Sequence, residues 1–198
     1  MLTDLPLMTY VATMSVTPGP NNLMLAASGV NFGLRRTVPM MLGITVGHAF
    51  LVGLVAALMA WAMVWLAALR PLLVLGGCGY LSWLAWRQAR AARPGAGAAP
   101  RPLGFVGAAL FQWVNPKVWV MALNMAVLFL PQERSVGTIL SLMVTCVLIN
   151  LPCIAVWAVA GDRLRDALHA PRALRCFNLA MAALLAGTAL WIVVDELF

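Results

Sequence analysis

Six long apolar runs divide this 198-residue chain, near residues 5–30, 38–63, 69–87, 104–130, 137–160 and 174–195. Each stays apolar over a window of about 19 residues, the scale on which a helix reads as crossing a bilayer. About 20 residues rising 1.5 Å each cover roughly 30 Å of hydrocarbon, and the third run only just reaches that length. The runs are continuous, whereas the strands of a closed barrel would be short and alternating. Little is left between them for a soluble domain. The pattern predicts an all-α fold: a single membrane domain over residues 1–198, built as a polytopic bundle of six transmembrane helices.

Two of the runs are interrupted. Thr17-Pro18-Gly19-Pro20-Asn21-Asn22 breaks the first, and Asn115-Pro116-Lys117 breaks the fourth. Each proline removes an N–H and presses on the carbonyl four residues earlier, at a cost of about 3 kcal/mol in a helix interior. Helices are expected to restart with Pro20 and Pro116 at their first positions, Asn115 serving as a cap. Pro18 and Pro116 lie 98 residues apart, close to half the chain. Between the halves, approximately 1–90 and 101–198, runs a basic Pro/Gly/Ala-rich stretch, Ala91 to Pro100, that reads as a flexible cytoplasmic loop. With three spans in each half, the halves must run in opposite directions. Gly43 and Gly47 in span two then correspond to Ser141 and Thr145 in span five, both small-xxx-small pairs that let helix backbones approach. The expected architecture is two inverted three-helix repeats with broken helices one and four.

Composition agrees: 63% of residues are hydrophobic and 10% charged, against about 25% charged in a soluble protein. The net charge of +7 adds orientation. Ten arginines (Arg35, Arg36, Arg87, Arg90, Arg93, Arg101, Arg163, Arg165, Arg172 and Arg175) fall on one side, and Arg70 and Arg134 on the other. The positive-inside rule places the rich side in the cytoplasm and both termini outside. So distributed, the charge signals topology and attraction to an anionic leaflet, and nucleic acid is not an expected partner. The first run has no basic leader and reads as a span rather than a removable signal. Cys78, Cys146, Cys153 and Cys176 form no CxxC pair and read as structural thiols, with no metal site implied. Asp162 and Asp166 read as solvated among arginines, and Trp61, Trp65, Trp83, Trp86 and Trp157 as an interfacial aromatic belt.

Candidate chemistry gathers at the two breaks. Lys117 lies about 20 Å from either end of its run, too deep to snorkel comfortably. A charge at that depth costs roughly 2.5–3.5 kcal/mol and usually faces a pathway. Two half-helix N-termini plus this ammonium describe an anion site suited to a carboxylate. The carbonyls freed at Met14, Val16 and Gln112, with the amide oxygens of Asn21, Asn22 and Asn115, offer acceptors for an ammonium. Candidate substrate-binding residues are therefore Thr17, Pro18, Gly19, Pro20, Asn21, Asn22, Gln112, Asn115, Pro116 and Lys117. A purely structural Lys117, satisfied by local carbonyls, is the rival reading. His48 and Lys117 are the candidates for proton coupling, although a lone helical histidine is more often a packing residue. Asn124, Asn150 and Gln112 line a cavity or simply bond between helices. With no carboxylate in the span interiors, a dedicated sodium or divalent-cation site is disfavoured. No HExxH, GxSxG or Walker loop is present, so no enzyme activity and no cofactor is expected.

At these residues the chain resembles the LysE/RhtB family of bacterial amino-acid exporters. The likeness runs through Thr17–Asn22, Gly33, Arg35, Gly43, Gly47, Gly77-Cys78-Gly79-Tyr80-Leu81, Phe105, Gly107, Asn115-Pro116-Lys117 and Leu130-Pro131-Gln132. Asn21-Asn22 and the stretch from Tyr80 to Arg87 look most like the cysteine/O-acetylserine exporter branch. Thr37 and Ala85 depart from glycines common in that family. The resemblance implies six helices in the bacterial inner membrane and export of a small neutral amino acid or close derivative in exchange for protons. The implied partners are that substrate, protons and the lipid bilayer, with a homo-oligomer as an option. The rival functions are a heavy-metal cation exporter and a non-transporting assembly or redox partner. The first would need clustered thiolate, imidazole or carboxylate ligands, and the second a cysteine pair.

Overall fold

The computed structural model describes residues 4–91, 102–130, 135–168 and 170–197. The linker from Ala92 to Pro100, with Arg93 in it, lies outside them, as do Arg101, Pro131, Gln132 and Arg134 and the side chains of Trp61, Trp65, Arg70 and Asp166. Among the described residues every regular element is helical. The helices are α1 (Leu5–Val16), α2 (Pro20–Phe32), α3 (Leu34–Ala57), α4 (Met59–Ala91), α5 (Phe105–Phe111), α6 (Pro116–Leu128), α7 (Val136–Ala167) and α8 (Pro171–Leu197), with a 3-10 turn at Gln112–Val114 before α6. Among the described residues three segments are long and apolar enough to cross a membrane: Leu34–Ala57, Val136–Arg165 and Arg172–Trp191. Leu5–Val16, Phe105–Val114 and Pro116–Leu128 are shorter apolar helices, shortened by the two breaks.

Several helix ends differ from the sequence expectation, and capping explains them. The second run was expected to begin near residue 38, but α3 already starts at Leu34. Gly33, at φ 81°, takes a left-handed turn that glycine adopts readily. Asp162 then accepts the Leu34 N–H at 2.9 Å. Asp162 is thus not merely solvated: it caps α3. Arg35 and Arg36 fall in the first turn of α3 rather than in a loop. At its other end α3 stops at Ala57, so residues 59–63 belong to α4. Helix α7 likewise continues past residue 160 and carries Arg165 in its last turn, where a cation complements the helix dipole.

The packing is crossed between the halves. Helix α7 lies against α1 and α2, α3 against α5 and α6, α3 and α7 against each other, and α4 against α8. Close crossings are made by glycine. A methyl on Gly43 would overlap the Phe105 carbonyl oxygen, and one on Gly161 the Ala26 carbonyl oxygen. The buried apolar residues separate into two clusters. One joins Leu7 and Val11 of α1 with Met121 and Met125 of α6; the other joins Leu23 and Leu25 of α2 with Phe111 of α5 and Leu81 of α4. The first half of each broken helix therefore shares an apolar cluster with the second half of the other. Both breaks fall at the seam between the clusters.

Candidate functional site

Helix α1 stops because Pro18 and Pro20 cannot donate, and every carbonyl so released is taken up. Thr17 Oγ1 donates to the Met14 oxygen at 3.0 Å, and Trp157 Nε1 on α7 donates to the Val16 oxygen at 3.0 Å. Asn22 Nδ2 donates to the oxygens of Ser15 and Thr17 at 2.8 and 2.7 Å. Leaving these acceptors unpaired in a nonpolar layer would cost several kcal/mol each. The second break is tied to the first by a reciprocal amide pair. Asn21 Nδ2 donates to Gln112 Oε1 at 2.8 Å, and Gln112 Nε2 donates back to Asn21 Oδ1 at 3.2 Å.

Lys117 completes the connection. Its Nζ donates to Thr17 O at 3.0 Å, Thr17 Oγ1 at 2.9 Å and Pro18 O at 3.3 Å. An ammonium has three N–H donors, so all are engaged. The charge sits at the carbonyl end of α1, where a helix dipole is negative. Gly19 makes room for it: a Cβ there would lie 3.1 Å from Lys117 Cδ and 3.2 Å from Nζ. The Gly19 backbone is extended, at φ 178°, so glycine is required for space and not for torsional freedom. Helix geometry leaves the N–H groups of Asn21, Asn22 and Lys117 in the first turns of α2 and α6.

Two spaces open from this junction. One is a cleft of about 980 Å³ floored by residues 17–20 and 115–117 and walled by α7 and α8, with Trp157, Phe177, Met181 and Trp191 among its apolar residues. Behind Gly19 and Lys117 lies a second, far smaller chamber of about 20 Å³, reached by Ser15, Asn22, His48, Asn115 and Asn150. Among the described residues neither lining contains a carboxylate.

A family model described as "LysE type translocator" matches residues 12–196, which takes in both breaks and all the packing around them. The chain belongs to the LysE type translocator family. Relatives named "Cysteine/O-acetylserine efflux protein" occur in Klebsiella pneumoniae, 33% identical over 95% of each chain, and in Salmonella typhimurium, 28% identical over 89% of this chain and 90% of the relative. A third, from Escherichia coli O1:K1, is 27% identical over 77% of this chain and 79% of its own. No solved structure matches the chain.

In this translocator the expected residues divide between the two spaces. Thr17, Pro18, Pro20 and Pro116 border the cleft, Asn21 and Asn22 the chamber, and Gly19, Asn115 and Lys117 both. Pro20 and Pro116 stand at the first helical positions. Gln112 borders neither, being fully buried in its bond to Asn21. Asn115 occupies the cap position of α6 without making a side-chain cap bond. The Met14 and Val16 carbonyls, expected to be free for an ammonium, are occupied; Thr17 and Pro18 receive one instead, and it is that of Lys117. Asn124 bonds Tyr10 at 3.1 Å, and Asn150 bonds Ser15 at 2.9 Å while reaching the chamber. Trp157, expected in an aromatic belt, donates its indole N–H to the end of α1 and walls the cleft. Gly43 and Gly47 pack on α5. Nothing in the sequence pattern pointed to Ser15, or to Phe177 and Met181 of α8. The latter lie about 160 residues from the break they face, beyond the reach of any periodicity.

The contact at Gly19 gives a graded expectation. Gly19→Leu drives a branched side chain into Lys117 and should lower transport at least tenfold at matched membrane levels. Pro18→Ala leaves Pro20 and Gly19 to maintain the break and should lose no more than about threefold; efflux from preloaded cells compares the two. Equal rates would mean that Gly19 is a kink and nothing more.

Proposed function

We propose that this translocator exports a small neutral amino acid or close derivative across the bacterial inner membrane in exchange for protons. The observation that carries the reading is the Lys117 ammonium at the meeting point of two broken helices, donating only to neutral oxygens and open to a large cleft. A carboxylate is a stronger acceptor than a carbonyl, roughly by a factor of two for a charge-assisted bond. A substrate carboxylate therefore displaces the Thr17 and Pro18 oxygens from Lys117. Those oxygens, at the negative end of α1, then accept the substrate's α-ammonium. A zwitterion fits between Lys117 and α1, its carboxylate taking the place of the Thr17 and Pro18 oxygens on Lys117 and its ammonium the place of Lys117 on those oxygens.

The rest of the cleft selects among zwitterions. Among the described residues it has no carboxylate to neutralise a cationic side chain, and its walls are apolar, which supports neutral substrates. Cysteine and O-acetylserine, named for the relatives, are of this class. His48 and Lys117 are the groups proposed to carry the coupled proton.

The architecture that goes with this function is six spans: α1 with α2, α3, α4, α5 with α6, α7, and α8. The crossed packing supports two inverted halves, since each broken helix rests on the middle helix of the opposite half. The arginine asymmetry supports cytoplasmic first, third and fifth connections with both termini outside.

Two experiments test this. Lys117→Met should insert and accumulate normally, because a costly charge is removed, while efflux of a preloaded neutral amino acid falls at least tenfold. Normal accumulation with wild-type efflux would refute the carboxylate role. A reporter fused after Phe198 should be active only in a periplasm-competent form; activity of a cytoplasmic reporter there would reverse the orientation.

A further inference from the structure

The chamber behind Gly19 contains a concentrated hydrogen-bond deficit. Among the described residues four buried side-chain atoms have no protein partner: Asn22 Oδ1, Asn115 Oδ1 and both ring nitrogens of His48. All four belong to residues that line the chamber. Asn22, His48 and Asn115 are only 3%, 2% and 1% exposed, so bulk solvent does not serve them. Turning the Asn22 amide over does not remove the deficit, because its Nδ2 already donates to the Ser15 and Thr17 oxygens. Buried polar atoms are almost always paired, and a cluster of exceptions calls for a ligand.

The demand identifies that ligand. Two amide oxygens each accept; a neutral imidazole accepts at one nitrogen and donates at the other. The unmet set is three acceptors and one donor, within a volume of about 20 Å³. A water molecule needs about 10–15 Å³ on such a measure and two to four polar partners. One water meets both conditions, donating to two of the acceptors and accepting from the imidazole N–H.

We infer that the chamber is a water-binding site that relays a proton between Lys117 and His48. Once a bound carboxylate has displaced Thr17 and Pro18 and freed one N–H of the Lys117 ammonium, that bond breaks, and the chamber water takes the proton while passing one of its own to the free ring nitrogen of His48. Lys117 is left neutral, His48 becomes an imidazolium, and the total charge does not change. The imidazolium offers two donors to the two amide oxygens, directly or through water, so the hydrogen-bond set then balances. Among the described residues no other titratable group borders the chamber. Helix α1 brings Met14 and Ser15, α2 Asn21 and Asn22, α6 Val118 and Met121, and α7 Asn150 and Ile154. Helix α5 meets α3 here through the Ala109 backbone at Gly47, and the α7 thiol Cys146 is turned to Met125 Sδ at 3.6 Å. The relay rests on the exporter reading, in which a bound carboxylate draws Lys117 away from Thr17 and Pro18; the hydration of the chamber does not.

The two parts are measured separately. In nanodiscs, protein with the chain's other histidine removed (His169→Gln) and labelled imidazole nitrogen should show magnetisation transfer between His48 and a bound water. Asn115→Leu, which fills the chamber and removes an acceptor, should abolish that signal. A His48 ring with no water contact in the parent overturns the site. In proteoliposomes, His48→Gln should lower pH-gradient-driven uptake at least tenfold relative to exchange of labelled for unlabelled substrate at equal pH. A ratio within about twofold of wild type overturns the relay. Absence of neutral amino-acid exchange in the wild type would instead remove the exporter reading, and the relay with it, while the histidine spectrum still decides hydration.

Discussion

A helix broken inside hydrocarbon persists only where the backbone groups it releases find partners, because lipid supplies none. In this protein the partners come from the other broken helix and from the helix packed behind it. Lys117 beside the second break takes the carbonyls of Thr17 and Pro18 just past α1, and Asn21 and Gln112 bond one break to the other. Trp157 on α7 holds the carbonyl that would otherwise remain exposed. Neither break is stabilised alone. This mutual dependence is why the two apolar clusters meet at the breaks, and why glycines must let the helices cross so closely.

The same constraint supplies the chemistry. An ammonium on neutral carbonyls is adequately, though not optimally, satisfied, and a carboxylate is the better partner. Under the proposed function the interaction that stabilises the resting fold is also the one a substrate replaces. Binding would loosen the bond between the two breaks, the place where alternating access needs freedom. The apolar cleft wall from α7 and α8 and the polar chamber towards α3 then divide the work between substrate and proton.

The breaks themselves were legible because proline acts locally: a missing N–H and a steric clash are properties of three or four residues. The restarts at Pro20 and Pro116 follow from the same physics. The direction taken by Lys117 was not legible, since it is set by an acceptor 100 residues away. Reading Lys117 as an addition to the positive end of α6 missed that its long stem carries the charge over to the negative end of α1. For a related reason the pairing of Asn21 with Gln112 is not legible: residue type marks both as polar and Gln112 as able to bond between helices, but only the fold shows that they bond each other. Helix ends were misplaced where the cap comes from afar, as when Asp162 starts α3 from 128 residues downstream. The chamber could not be foreseen, because it exists only where five separated segments meet.

Chemical rescue at position 117 tests the central claim most directly. In a cysteine-free background Lys117→Cys should be made at normal levels and export poorly. Treatment with an aminoethylating thiol reagent, which rebuilds an ammonium at nearly the length of lysine, should restore at least tenfold of the lost efflux, whereas a neutral alkylating reagent of similar size should not. Equal recovery with the neutral reagent, or undiminished export before treatment, would contradict an account in which one ammonium joins the two breaks and binds the substrate.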